Sequence, residues 1–398
     1  MPSGCLEGIT VLDMGQMVAG PYCARLLATL GATVIKIERP GVGDVARSQG
    51  PFPHDQPDPE SSGLFLYLNT GKKCVTLNLG SRTGRLLFRE LVARSDILVE
   101  NFRPGVMERL GQGYRKLHRL NPRLVMTSIS NFGQSGPYRD YRATDMGLLA
   151  MGGYMYVSGD PDREPLRKGE YLAQYLGGLN AHVGTLGAFW HALESGIGQR
   201  VDVSIMEAVA TLIETSITYY AYKGIPRKRF SVRSGIHPFG VYPCRDGFVG
   251  IQVVPARMWP VLVEMVGREE LRDPKFATGM GRSQHADEVD ALLLPWLLQH
   301  GRNEIYHMGQ QRGIGFGLVC TPADMLDSPH LKAREFFLAL EHPQAGTYRY
   351  PGVPAKFSET AWRAQRAPLL GEHNEELLCG LLGHPTSRLA EWREQGVI

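Results

Sequence analysis

The chain has no run of eighteen apolar residues, so its sequence offers no segment that would cross a bilayer as a helix. Its first residues, MPSGCLEGITVLDMG, lack the basic head and apolar stretch of a secretory signal, so none is expected. Cysteine is sparse. Cys5, Cys23, Cys74, Cys244, Cys320 and Cys379 lie far apart with no CxxC pair, which argues against a disulfide framework or a zinc knuckle and for reduced thiols. Neither sign of charge is in excess: 43 Lys and Arg face 40 Asp and Glu, a net +3, which points away from nucleic acid and membrane surfaces. There is no GxGxxG after the first strand-like run, no GxxxxGK[ST], no GxSxG and no HExxH. His182 and His191 are nine residues apart in an apolar stretch with no third ligand in sight, so no metal is expected. These absences lead to the expectation of a soluble, cytoplasmic protein, and the charge balance still leaves room for a phosphate-bearing small molecule held by a few local Arg or Lys.

What is present is alternation. Over the first 135 residues, apolar runs at Ile9–Met14, Ala32–Glu38, Cys74–Leu79, Asp96–Glu100 and Arg123–Ile129 read as strands. Helical periodicity at Tyr22–Leu30 and Arg82–Arg94 separates them. Buried strands alternating with helices make βαβ units and a mostly parallel sheet, an α/β fold. Asp145–Met151, Gln174–Leu193 and Met206–Tyr220 read as helices. Tyr242–Val254 reads as a hairpin turning at Arg245-Asp246-Gly247, 257–312 as helical, VPAKFS at 353–358 as a strand, and Glu372–Leu382 as a final helix. The 398 residues divide into a large domain, 1–225 with 336–398, and a smaller one, 230–335.

Ligands of such sheets sit beyond the carboxyl ends of the strands, which directs attention to the four loops after Asp13, Glu38, Glu100 and Ser130. Ala19-Gly20-Pro21 opens a helix after the first strand, where free N–H groups favour an anion, although a Gly-Pro turn is also simply a turn. Arg39 follows the second strand, as a ligand contact or as a solvated charge. Asn101-Phe102-Arg103-Pro104-Gly105 follows the fourth, with Arg109 a helical turn later. An aromatic ring and two guanidiniums there suit an adenine and its phosphates.

The order of the blocks is more specific than any one of them. LxGITVLDxG…AGP, GATVIKIERPGxGD, KxVTLNL, DILVENFRPGVMERLG, SxSxFGQxGPY, SGxGQRVDVSxxEA, HPFGVYPCRDG and APLLGEHNEELL together resemble the class III CoA-transferases, from Leu6 to about Leu378. The resemblance implies a Rossmann-like large domain built from both chain ends, a small α/β domain, and an interlocked-ring dimer with CoA at its interface. It implies CoA contacts at Val18, Ala19, Arg39, Leu77, Asn78, Leu79, Asn101, Phe102, Arg103, Arg109, Arg142, Ala143, Thr144 and Asp145. CoA and its esters would be substrates, with no cofactor tightly bound, and the second substrate a carboxylic acid.

In the transferases this chain resembles, an aspartate attacks the acyl-CoA thioester, leaving an enzyme-bound mixed anhydride and free CoA thiolate. Counting back from Gly196-Ile197-Gly198-Gln199-Arg200, that aspartate's place falls on Gln174. A carboxamide is too poor a nucleophile to form the anhydride. Glu170, one turn earlier, is the nearest acid and the alternative nucleophile. The related α-methylacyl-CoA racemases would place their histidine on Thr144 and their aspartate again on Gln174. The expectation is therefore a subunit that completes a transferase beside an Asp-bearing paralogue. A self-sufficient homodimer using Glu170 is the rival. FSVRSGIHP, at 230–238, lacks the resembled family's glycine-rich loop, which implies a roomier acyl pocket. Tyr154, Tyr156, Tyr171 and Tyr175 would line that pocket or simply pack in the core.

Overall fold

A computed structural model of the chain describes residues 4–229, 235–362 and 364–398. Six short strands form one parallel sheet: β1 (Thr10–Asp13), β2 (Thr33–Glu38), β3 (Lys72–Thr76), β4 (Ile97–Glu100), β5 (Val125–Ser130) and β6 (Arg200–Ser204). Their order is β3-β2-β1-β4-β5-β6. Successive side chains alternate between the sheet's faces, and each face has its own core. Val11, Val34, Ile97, Val99, Val125 and Ile129 pack with α1 (Ala19–Thr29) and the long α6 introduced below. Leu12, Ile35, Val75, Leu98 and Met126 pack with α2 (Arg82–Val92), with Leu117 of α4 (Tyr114–Leu120), and with Leu389 and Trp392. Both faces are covered, so the strands are buried on both sides, and the charges they carry at Lys36, Glu38 and Lys72 are buried with the apolar residues.

Between α2 and α4 lies the single turn α3 (Val106–Arg109), and after β5 come α5 (Asp145–Met151) and α6 (Leu172–Ser195). α7 (Ile205–Ala210) follows β6, with the Ser204 hydroxyl accepting the Glu207 N–H at its start. α6 approaches α1 at Gly178, where a Cβ would stand 2.6 Å from the Ala19 carbonyl oxygen. Glycine is therefore required by the contact between the two helices.

The chain forms two compact units, one of residues 1–155, 167–224 and 333–398, the other of 156–166 and 225–332. In the second, β7 (Phe239–Cys244) and β8 (Gly247–Gln252) form the expected hairpin and the short β9 (Gly317–Leu318) joins its edge. Helices including α8 (Met258–Val266) and α9 (Ala286–Gln299) close a core around Val249, Leu262 and Leu293. Residues 156–166 join this unit partly through Arg229, whose guanidinium donates to the carbonyls of Tyr156, Asp160 and Arg163.

Two sequence-based elements need correction. VPAKFS is not a strand. Residues 354–358 are exposed and, with Pro354 unable to donate, join no strand ladder among the described residues. An antiparallel pair, β10 (Phe337–His342) with β11 (Gly346–Pro351), lies just before it. The segment read as the final helix contains a π-helical turn at Glu376–Leu381, and a further helix, α10 (Ser387–Glu394), follows.

Candidate active site

The strand order reverses between β1 and β4, and a crevice at the carboxyl ends of the strands follows from that reversal. The loops on its two sides are tied by one side chain. Asn101, after β4, accepts the Gln16 N–H at 2.7 Å and donates to the Gln16 carbonyl at 2.9 Å. Beneath the β1 side lies a buried ionic cluster. Asp13 receives the Gly15 N–H at 2.7 Å and Lys72 Nζ at 2.7 Å, while Lys36 binds Asp44 at 2.6 Å and the Gly15 carbonyl. Burial alone would push the Asp13 carboxyl up, but Lys36 and Lys72 outweigh it and hold it low. For Lys72 burial wins, and its ammonium is pushed down to about 8. Arg47 grips Glu38 through two hydrogen bonds of 2.8 Å each and reaches Glu60 at 2.6 Å. These fully paired charges fix the loops after β1 and β2, and removing one partner would strand the other in a dry interior.

The β4 side opens into a cleft of about 410 Å³ lined by Asn101, Phe102, Arg103, Arg109, Ser130, Asn131, Arg139, Asp140, Tyr141, Arg142, Ala143 and Gln174, with Pro104, Ile129 and Ile205. Each group arrives from the end of an element. Asn101–Pro104 follow β4, Ser130 closes β5, and 139–143 precede α5. Gln174 lies in the first turn of α6, and Ile205 begins α7. Four guanidiniums in one cleft, with planar donor forks and no acceptor, make a site for a ligand rich in phosphate or carboxylate oxygen. Glu100 braces the loop from below, its carboxylate accepting the Phe102 N–H at 2.9 Å. Burial drives that carboxyl up to about 7 against the opposing pull of Ser128, the Phe102 N–H and Arg200.

Gln174 is half-buried, and its backbone N–H donates to Asp145 Oδ1 at 3.1 Å. Asp145 thereby supplies the cap that Tyr171, at the N-cap position of α6, does not. Burial raises the Asp145 carboxyl, and the N–H groups of Gln174 and Ala173 draw it back. A carboxamide lining a cationic cleft offers a donor and an acceptor but no proton-transfer group.

The cleft thus brings together Asn101, Phe102, Arg103, Arg109, Arg142, Ala143 and Gln174 from the sequence-based set. It does not include Val18 and Ala19, which are buried at the start of α1, or Arg39, which is exposed after β2. Leu77, Asn78 and Leu79 follow β3, where the Asn78 side chain donates to the Gly396 carbonyl. Thr144 caps α5 by accepting the Gly147 N–H. Glu170 is exposed, adopts φ 60°, lies outside the lining, and acts electrostatically on the Tyr175 hydroxyl. Tyr175 packs edge-on against Tyr22, ring centroids 4.9 Å apart, as a core aromatic does. Of the stretch read for pocket size, residues 230–234 lie outside the described residues.

Sequence reasoning pointed to the loop after Ser130 but named none of Ser130, Asn131, Arg139, Asp140 and Tyr141 as a site residue. A signal existed for the last three in the alternating Tyr138-Arg139-Asp140-Tyr141-Arg142, where the two tyrosine rings stack at 5.0 Å.

Comparison with known proteins bears on what such a cleft holds. The description of CoA-transferase family III matches residues 6–374. A succinyl-CoA–D-citramalate CoA-transferase of Chloroflexus aurantiacus is 36% identical, over 100% of this chain and 99% of that protein. The β subunit of a succinyl-CoA–L-malate CoA-transferase from the same organism is 33% identical, over 99% of this chain and 98% of its own length. Among solved structures, a CAIB/BAIF family protein from Brucella suis superposes with a TM-score of 0.88 at 29% identity, covering 96% of this chain and all of its own.

Proposed function

This chain belongs to CoA-transferase family III, and we propose that it serves as a subunit moving CoA between an acyl-CoA such as succinyl-CoA and a carboxylic acid. In this reading CoA is a substrate held by the cleft arginines, no cofactor is tightly bound, and an Asp-bearing paralogue supplies the nucleophile. The carrying observation is Gln174, which lines the cleft at the nucleophile's place in the gapless register and presents an amide. The succinyl-CoA donors and the β-subunit in the names of two relatives support the donor class and the heteromeric assembly. The six free thiols fit a reducing cytoplasm.

The chemistry needs a carboxylate oxygen to bond the thioester carbonyl carbon while the C–S bond breaks and the thiolate leaves. Gln174 cannot do this, and Glu170 stands outside the cleft. Thr144, whose hydroxyl is engaged as a helix cap, is no base for α-proton removal, which weighs against the racemase reading. What this chain contributes is anion binding through Arg103, Arg109, Arg139 and Arg142, and an amide able to hydrogen-bond an acyl oxygen.

An interlocked dimer, with the same chain or with the paralogue, is part of this reading. Val183 and Trp190 on α6 are 64% and 67% exposed, and Tyr222 is 85% exposed, a large apolar display for a monomer in water. The direct test is reconstitution. Succinyl-CoA with a dicarboxylic acceptor should give no transfer with this chain alone and measurable transfer when the paralogue is co-purified. Full activity of the chain alone contradicts the supporting role.

A further inference from the structure

Ser130 closes β5 and is 7% exposed, yet it lines the cleft, and its hydroxyl oxygen is buried without a hydrogen-bond partner among the described residues. Its neighbours are occupied. The Ser128 hydroxyl, two residues back, accepts Arg200 Nε at 3.2 Å. Ser204, paired with Ser130 across the β5–β6 ladder, spends its hydroxyl on the Glu207 N–H. A buried hydroxyl that bonds nothing costs stability, and an alanine at the same place would avoid the cost. The fold gives no use for this oxygen, whereas the cleft does.

We infer that Ser130 is a ligand-contacting residue, its hydroxyl donating a hydrogen bond to an oxygen of the CoA ester bound in the cleft. Donation is the sense that fits, because guanidiniums share the lining and select a ligand whose surface is acceptor oxygen. Serine can turn its hydroxyl between staggered χ1 wells without moving the backbone, so the ligand can draw the oxygen toward the cleft. The bonded oxygen is either the thioester carbonyl or an oxygen of the CoA moiety itself. The inference rests on the cleft holding CoA esters.

Ser130→Ala tests it in the full chain. Without ligand, the variant should melt at or above the wild-type temperature, since no intramolecular hydrogen bond is lost. By calorimetry it should bind succinyl-CoA roughly five- to twentyfold more weakly, the effect of one removed hydrogen bond in a desolvated site. An equal loss with free CoA assigns the contact to the CoA moiety, and a loss confined to succinyl-CoA assigns it to the thioester carbonyl. Wild-type affinity for both ligands overturns the inference. So does a clear fall in the ligand-free melting temperature, which would reveal an intramolecular partner. A wild-type chain that binds neither compound overturns the CoA reading of the cleft, and this contact with it.

Discussion

Glu100 shows how one buried carboxyl reports on the cleft floor. It is 3% exposed, and its folded-state pKa, about 7, lies above the 4.5 of a free glutamate. Between those values the folded chain holds a proton that the unfolded chain has lost, so stability falls as pH rises through this window and levels off above it. Glu100→Gln keeps an acceptor for the Phe102 N–H and removes the ionisation. Thermal melting should therefore place the variant close to wild type at pH 5 and above it at pH 8.5, by up to roughly 3 kcal/mol for a full shift of that size. Parallel pH profiles for the two proteins would show that Glu100 is not the titrating group. The arginines divide on the same scale. Arg109 lines the cleft and Arg39 does not, so Arg109→Ala should weaken CoA binding by roughly 1–3 kcal/mol, the worth of a charged hydrogen bond. Arg39→Ala should cost less, and calorimetry on both ranks them.

Among the elements, α6 matters most, because its first turn carries Gln174 into the cleft while its middle lies against α1. Gly178→Ala would push a methyl to within 2.6 Å of the Ala19 carbonyl oxygen, a backbone atom that cannot swing aside. The expected cost is roughly 1–3 kcal/mol of stability, read by denaturant melting, as for other overpacked contacts. The elements also show what a sequence exposes. β1 to β5 were legible because both sheet faces are covered and apolar residues dominate the runs read there, although buried charges such as Lys36 and Lys72 interrupt them. β6, Arg200–Ser204, alternates polar and apolar residues and is only partly buried, so it carried no such signal. Arg103 and Arg109 were legible as charges in or just beyond a post-strand loop, and Arg142 only through the family resemblance. Ser130 was not, because a missing hydrogen-bond partner is a property of three-dimensional neighbours, not of a residue's type.

For the whole molecule, the exposed apolar residues of α6 and of the helix Glu214–Lys223 that follows α7 bear on assembly. Water contact over so many large side chains is unfavourable, so the chain should associate with a copy of itself or with the proposed paralogue. Light scattering across a dilution series should find no folded monomer, and a stable monomer would contradict the interlocked assembly. The division of labour proposed for that assembly rests on Gln174. Intact-mass analysis after incubation with succinyl-CoA and hydroxylamine, which traps an enzyme anhydride as a hydroxamate, probes it directly. The chain alone should remain unmodified, and Gln174→Asp, which places a carboxylate in the cleft, should gain the hydroxamate mass on residue 174. A hydroxamate on wild-type Glu170, or on any other acid of the unmodified chain, would contradict the account.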